Sequence, residues 1–469
     1  MRGPRIVVIG AGSFFFGRPV IWNMVHSEVL RAGTLALVDT KPEVLDTMMR
    51  LAGRAIEATG APTRLAGSTD RREVLKDADF VVLTFSERNA YYRGLDCEVS
   101  LRHGVRMCSG DTIGPGGIFR ALREIPRALA MARDVAELAP HAWIVNFVNP
   151  TTVLGLALMR YAPSVRSFAI CDGLHEPYHR LGVLQRLGVV PEEAKAIPAE
   201  VAARLTFHSM GVNHFTWLTR LEHDGRDLLP AWRERVARDA ADEVERTGAA
   251  TDRNATSKAR FNAAYALQLF DLFGAYPDRI GHTKEYVPYF QGLGVAPNHP
   301  APIAIFDAGE RQRGMDARWR ETEDFAHGRR PIGEFLKAGR GDHATDIIES
   351  MWGGLGKAFY INTPNRGAVT NMAGDAYLEA LCDLDMDGPR PRPMGPMPRG
   401  LLGLQQQVLD THELTAEAAV TFDRRTLLRA MMTDPIVNNL GDGRRILEEL
   451  LERERDILPA EWHRAGLPH

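Results

Sequence analysis

The chain has 469 residues, is 45% hydrophobic and 25% charged, and carries a formal net charge of -3. This is the balance of an ordinary globular protein with room for a large core and two or three domain-sized units. It gives no electrostatic footing for nucleic acid or an anionic membrane surface, and no run of ~18 apolar residues suggests a membrane span.

Four cysteines, Cys97, Cys108, Cys171 and Cys382, are too scattered for a disulfide framework, and no charged leader with an apolar run opens the sequence. A reducing, cytoplasmic setting is the expectation, with each thiol available as a ligand. Lysine occurs only seven times, so nearly all 57 basic residues are arginine. A coding bias accounts for most of them.

RIVVI (5–9) reads as a strand buried on both faces, followed by a glycine loop and a helix from about Arg18. LALVD (35–39) is a second strand, and 41–58 a helix with Pro42 where its missing N–H costs little. Segments 78–85, 142–150 and 167–173 are further strands, with a long helix over 118–138. Strands alternating with helices predict a parallel, doubly wound sheet over residues 1–190. The pattern then changes. Residues 205–230 alternate like antiparallel strands with a hairpin turn at Asp224-Gly225, and 230–350 is mainly helical. The Pro-rich stretch 387–400 reads as an extended connector before a final helical region. A nucleotide-binding unit (1–190) and a mixed α+β unit (191–469), with the site in the cleft between them, is the expected organisation.

In the first loop, Gly10 permits a tight turn, Gly12 lets backbone approach a pyrophosphate, and Ser13 and Gly17 complete the cradle at a helix N-terminus. Gly17 is displaced relative to GxGxxG, so the spacing alone is weak. The context is stronger: a strand before, a helix after, and Asp39 ending the next strand. Asp39 suits the ribose hydroxyls of NAD and repels a 2′-phosphate.

Cys171 and Asp172 lie at the C-terminal end of a predicted parallel strand, where open sheets place ligands. A thiolate there and an imidazole at His214 could hold a divalent ion, or could be a buried cysteine and a core histidine. Asp172 could be a general acid or a helix cap. His175 and His179 could share a helix face and suggest a metal pair, but a helix facing solvent is the expectation. Asn149 closes a strand and suits contact with a sugar or nicotinamide, and Thr151 suits a cap for the next helix. Tyr265, Tyr276, Tyr286 and Tyr289 fall in a helix–loop region where most tyrosines pack.

Together, IVVIGAGSFFFG, TIGPGGIFRALREIP, NFVNPTT, ICDG, GVNHFTW, EYVPYF and NTPNRGAVTNM occur in the order of glycoside hydrolase family 4. The chain resembles that family over nearly its whole length. The resemblance implies the nucleotide fold of the lactate and malate dehydrogenase superfamily, NAD+, and Mn2+ or another divalent metal (Co2+, Ni2+ or Fe2+). It implies α-glycoside cleavage by transient oxidation at C3, deprotonation at C2, elimination, water addition and re-reduction. Cys171 and His214 match the metal ligands, Asp172 the acid and Tyr286 the C2 base. Asn149, Asn213 and His282 fall where substrate contacts are expected. The family is commonly homodimeric or homotetrameric.

One departure bears on substrate. EYVPYF and GVNHFTW resemble the branch acting on α-galactosides and uronides, which carries His after the Cys, whereas Asp172 stands here. An anionic glycoside (uronide, 6-phospho sugar or sulfoquinovoside), with Arg88, Arg93 and Arg366 as candidate partners, or an α-galactoside is the expected substrate. The competing expectations are an NAD-dependent 2-hydroxy-acid or sugar dehydrogenase, and an NAD-sensing protein without turnover.

Overall fold

The computed structural model describes residues 2–13, 16–247, 261–291, 303–338 and 343–464. Thirteen strands among them form one sheet. They are β1 (Arg5–Ile9), β2 (Thr34–Val38), β3 (Arg64–Ser68), β4 (Phe80–Leu83), β5 (Trp143–Asn146), β6 (Arg166–Ala169), β7 (Leu205–Val212), β8 (Phe215–His223), β9 (Arg226–Asp227), β10 (Tyr276–Pro277), β11 (Ala358–Pro364), β12 (Tyr377–Asp385) and β13 (Gly388–Pro391). The first six run in parallel in the order 3-2-1-4-5-6, the doubly wound arrangement of dinucleotide-binding sheets. The protein is therefore a mixed α/β chain with a Rossmann-like sheet.

Alternation within the strands explains the layers. Val7, Ile9, Val81 and Leu83 face the helices Asn89–Arg102, Gly114–Leu138 and Thr151–Tyr161 and the C-terminal helices. Ile6, Val8, Leu35 and Leu37 face the helices Gly17–His26 and Pro42–Thr59 on the other side. Both faces being covered, β1 and β4 are almost uniformly apolar.

Beyond β6 the sheet continues without a break but changes sense, because β11 pairs antiparallel with both β6 and β12. β12 joins β7, and β7, β8 and β10 complete that edge. The turn at Asp224-Gly225 forms as expected, setting His223 opposite Arg226.

Three local expectations are corrected. The Pro-rich stretch is not simply a connector: β13 pairs with β12 off the main path of the sheet, where missing amide donors are tolerated. Thr151 does not cap its helix but is its first residue, and its hydroxyl donates to Asn149 Oδ1 at 2.6 Å. His175 and His179 share no helix face, because the helix starts at Tyr178, after Pro177. Nor do they look to solvent: His175 faces Asp346 and His179 faces Asp278, each at 3.5 Å. No helix among the described residues is long and apolar enough to cross a membrane.

Candidate active site

The crevice at the carboxyl ends of β1 and β4, where strand order reverses, is built by the glycine loop. Gly10 has φ +92°, and a Cβ there would lie 2.7 Å from the Phe85 backbone. Gly10 and Ala11 donate to the Val38 carbonyl, and Ser13 N–H donates back to Gly10. Gly12 N–H donates to Asp39 Oδ2 at 3.0 Å, and Lys41 N–H to Oδ1 at 3.2 Å. The carboxylate at the end of β2 is thus fixed by the loop it would serve. Phe14 and Phe15 of that loop lie outside the described residues.

Downstream of β6 the chain leaves the ladder, and Cys171 Sγ comes within 3.0 Å of His214 Nε2. His214 sits in the two-residue turn between β7 and β8, with φ +64°. A left-handed conformation is unusual for a residue with a Cβ and persists where the surroundings over-determine it. Here they do: Thr283 Oγ1 donates to the His214 carbonyl at 2.9 Å, and the His282 ring stacks on His214 at 3.9 Å. Both Cys171 and His214 are buried.

The segment after His282 binds this turn to a third piece of chain. Glu285 Oε2 accepts from Cys108 N–H at 2.9 Å and Ser109 N–H at 2.8 Å. Tyr286 Oη donates to the Asn213 carbonyl at 3.1 Å, and its ring stacks on Phe215. Burial pushes the Tyr286 phenol well above its usual range. Asn213 Nδ2 in turn donates to Glu379 Oε2 at 3.3 Å.

Asp111 completes the arrangement. Its carboxylate accepts from Ser109 Oγ at 2.7 Å, Arg120 at 3.0 Å and Asn149 Nδ2 at 3.3 Å, with Arg93 3.5 Å away. Burial alone would raise its pKa, but the guanidinium groups of Arg93 and Arg120 hold it well below the usual carboxylate range. Arg311 is pushed down to about 10, first by burial and then by repulsion from Arg93. Arg93 and Arg120 therefore converge on the Asp111 carboxylate, and Arg311 is near enough to feel the charges of all three.

The structure thus brings Cys171, His214, Asn213, His282, Tyr286 and Asn149 into one neighbourhood. The side chain of Asp172 lies outside the described residues; its backbone opens a short 3-10 turn, Asp172–Leu174, whose Gly173 carbonyl accepts from Arg279 at 2.9 Å. Arg93 reaches the site, whereas Arg88 pairs with Asp456 and Arg366 donates to the Pro389 carbonyl. Tyr265 packs on Phe290 and Tyr276 on Trp232.

Asp111, Glu285, Arg120 and Arg311 were not anticipated. The first three lie within or beside segments that carry the family resemblance, which was the available signal. Arg311 had none, being one arginine among many. Asp111, His282 and Glu285 also place one ligand atom each within 4.8 Å of one another, a second donor set against the first.

Two donors 3.0 Å apart fit a single ion. Their separation is less than the sum of a metal–sulfur bond of about 2.3 Å and a metal–nitrogen bond of about 2.0 Å. Soft thiolate plus imidazole is also a chemically competent pair for a divalent transition metal.

The sequence profile of family 4 glycosyl hydrolases matches residues 5–181, and that of the family's C-terminal domain matches residues 209–437. The chain belongs to glycoside hydrolase family 4. This family 4 chain is 29% identical over 462 residues to a probable 6-phospho-beta-glucosidase of Bacillus subtilis (strain 168), covering 98% of each. It is 27% identical over 472 residues to an alpha-galactosidase of the same strain, covering 97% of this chain and 99% of the relative. Among solved structures it matches a 6-phospho-alpha-glucosidase from gut microorganisms in complex with NAD and Mn2+. That match has TM-score 0.76 at 22% identity and covers 98% of this chain and 99% of the other. At that identity the likeness is one of fold.

Proposed function

We propose that this family 4 enzyme is an NAD+- and divalent-metal-dependent glycosidase that cleaves an α-linked, anionic glycoside by oxidation at C3, deprotonation at C2, elimination, water addition and re-reduction. The observation that carries it is the buried Cys171–His214 pair, with Asn213, His282 and Tyr286 packed against it. When bound, NAD+ supplies a hydride acceptor that returns the hydride later, and Mn2+ or a similar ion supplies stabilisation of charge on the sugar oxygens.

The chain's own residues do the rest. Gly10, Gly12, Ser13 and Gly17 cradle the dinucleotide phosphates, and Asp39 accepts from the ribose hydroxyls. Cys171 and His214 hold the metal. Asn149, Asn213 and His282 position the sugar, and Asn149 would also contact the nicotinamide. Tyr286 is the base for the C2 proton; burial holds its phenol well above the usual range, and a divalent ion held by Cys171 and His214 would favour the phenolate form. Asp172 gives its proton to the departing oxygen. The convergence of Arg93, Arg120 and Arg311 favours a substrate bearing a carboxylate, phosphate or sulfonate. Residues 1–190 form the nucleotide-binding unit in this scheme and also bring Cys171, Asp172 and Asn149 to the site, while 191–469 supply His214, the remaining substrate contacts and the oligomer contacts. The proposal extends to a cytoplasmic homodimer or homotetramer, where the reducing compartment keeps Cys171 a thiol.

The test is a panel of p-nitrophenyl glycosides, α and β, with neutral, uronic, 6-phospho and 6-sulfo sugars, run in D2O. Cleavage of an α-linked anionic member, deuterium at C2 and no accumulation of NADH are expected. Stoichiometric NADH would replace this assignment with a dehydrogenase, and cleavage of β-linked members alone would remove the role given to Asp172.

A further inference from the structure

We propose that His343 is a positioning residue that clamps the Cys171–Asp172 peptide and so sets the metal affinity of the site. This rests on Cys171 and His214 being the metal ligands.

β6 ends at Ala169, and the Ile170 N–H still donates to Asn146 on β5. Cys171 lies past that last tie, in extended conformation with φ -131° and ψ 150°. Its thiol is only as well placed as the peptide that follows it. His343 opens the helix His343–Gly353, is 1% exposed, and places Nδ1 2.9 Å from the Cys171 carbonyl oxygen. A carbonyl can only accept, so Nδ1 carries the proton and donates.

The ring is itself held. It stacks on His175 at 4.5 Å and 20°. His175 Nε2 lies 3.5 Å from Asp346 Oδ2, one helical turn on from His343, and Lys357 Nζ lies 3.0 Å from Asp346 Oδ1. A chain of contacts thus runs from a surface lysine to the backbone of the metal-binding cysteine, through a ring that both donates and stacks. His175 lies four residues beyond Cys171, so the clamp closes on both ends of the turn that carries Asp172. Partners that orient metal ligands are typically worth about 10–100-fold in metal affinity.

Two substitutions separate the hydrogen bond from the packing. His343→Phe keeps a flat ring against His175 and loses the donor; His343→Asn keeps a donor near the Nδ1 position and loses the ring. Full-length protein, stripped with chelator, is titrated with Mn2+ by calorimetry, and NAD+ affinity is measured on the same samples as a control for folding. Expected are Mn2+ binding weakened about 10–100-fold in His343→Phe, NAD+ binding unchanged in both, and Mn2+ binding in His343→Asn within about threefold of wild type.

Wild-type Mn2+ affinity in His343→Phe, or equal losses in the two variants, overturns the clamp. So does loss of Mn2+ binding in His343→Asn with NAD+ binding retained, which holds even if the Phe variant does not fold. Cys171→Ser tells this failure from that of the parent assignment. If Cys171→Ser binds Mn2+ as wild type does, the ligand assignment fails and the clamp with it; if it loses Mn2+ while His343→Phe does not, only the clamp fails.

Discussion

Asp278 lies beneath the β7–β8 hairpin, accepting from the Ser209 hydroxyl and facing His179 Nε2 at 3.5 Å. Burial pushes its carboxyl up to about 8, while burial pushes His179 down to about 3. At neutral pH the folded protein therefore holds a proton on Asp278 that the unfolded chain has released. Between about pH 4 and pH 8 this group makes stability fall as pH rises, by about 1.4 kcal/mol per unit; below and above that window its contribution is flat. Asn mimics the protonated acid, with one oxygen for Ser209 and an amide for neutral His179. Asp278→Asn should match wild type near pH 4 and become progressively more stable relative to it up to pH 8, in urea melts at several pH values. A stability difference independent of pH would show that Asp278 is ionised in the folded protein.

At the scale of elements, the strand–loop–helix unit makes two glycines behave oppositely. A Cβ on Gly17 would lie 2.0 Å from the Ala11 carbonyl oxygen, which is backbone and cannot swing aside. Gly17→Ala should cost about 1–3 kcal/mol, as overpacking does, and weaken NAD+ binding measured by calorimetry. Gly53, in the helix Pro42–Thr59, has nothing within 4 Å of a Cβ. Gly53→Ala should stabilise by about 0.5–1 kcal/mol through backbone entropy alone, leaving NAD+ binding intact. Equal effects at the two positions would refute the steric assignment. The parallel half of the sheet was readable because burial on both faces writes itself as short β-branched runs. β3 was not, since an edge strand with three partly buried and two exposed residues lacks that signature. β13 was hidden by its prolines, which mark loops by composition and are admitted to a sheet only where no further partner is needed. Cys171 was singled out by its place at a strand end and considered with His214 as a ligand pair, but only the family resemblance matched the two to metal ligands, because no spacing rule joins residues brought together by a sheet. Asp111 and Glu285 fell within or beside the quoted segments, yet their partners are backbone amides and arginines that only the fold assembles. His175 and His179 misled because an i, i+4 spacing implies a helix face only if the helix has begun, and Pro177 postpones it.

Across the whole molecule, a buried ion triad ties the C-terminal helices to the nucleotide-binding half. Arg123, on the helix Gly114–Leu138, donates to Asp96 Oδ2 at 2.8 Å and to both Glu454 oxygens at 2.6 Å. Asp96 belongs to the helix Asn89–Arg102, and Glu454 follows the helix Leu440–Arg453. All three side chains are essentially inaccessible. Burial, and after it the neighbouring Asp96 charge, push Glu454 upward against the pull of Arg123. One guanidinium therefore compensates two carboxyl groups, and removing it leaves them facing each other without solvent. Arg123→Met should cost about 3–5 kcal/mol, the usual penalty for orphaning a buried charge, seen as a lower denaturation midpoint. Replacing the acids as well, in Arg123→Met/Asp96→Leu/Glu454→Leu, should recover most of the loss, since apolar side chains of similar volume often substitute for buried ions at little cost. Hydrogen exchange in the single variant should rise first in Leu440–Arg453, because its buried anchor is the one cut and the Arg102–Glu449 and Arg88–Asp456 pairs that remain are more exposed. A single variant within about 0.5 kcal/mol of wild type, which is the range of ordinary surface substitutions, would mean that the packing of the fully buried Trp462 edge-on against Phe422, and not the triad, holds the C-terminus in place.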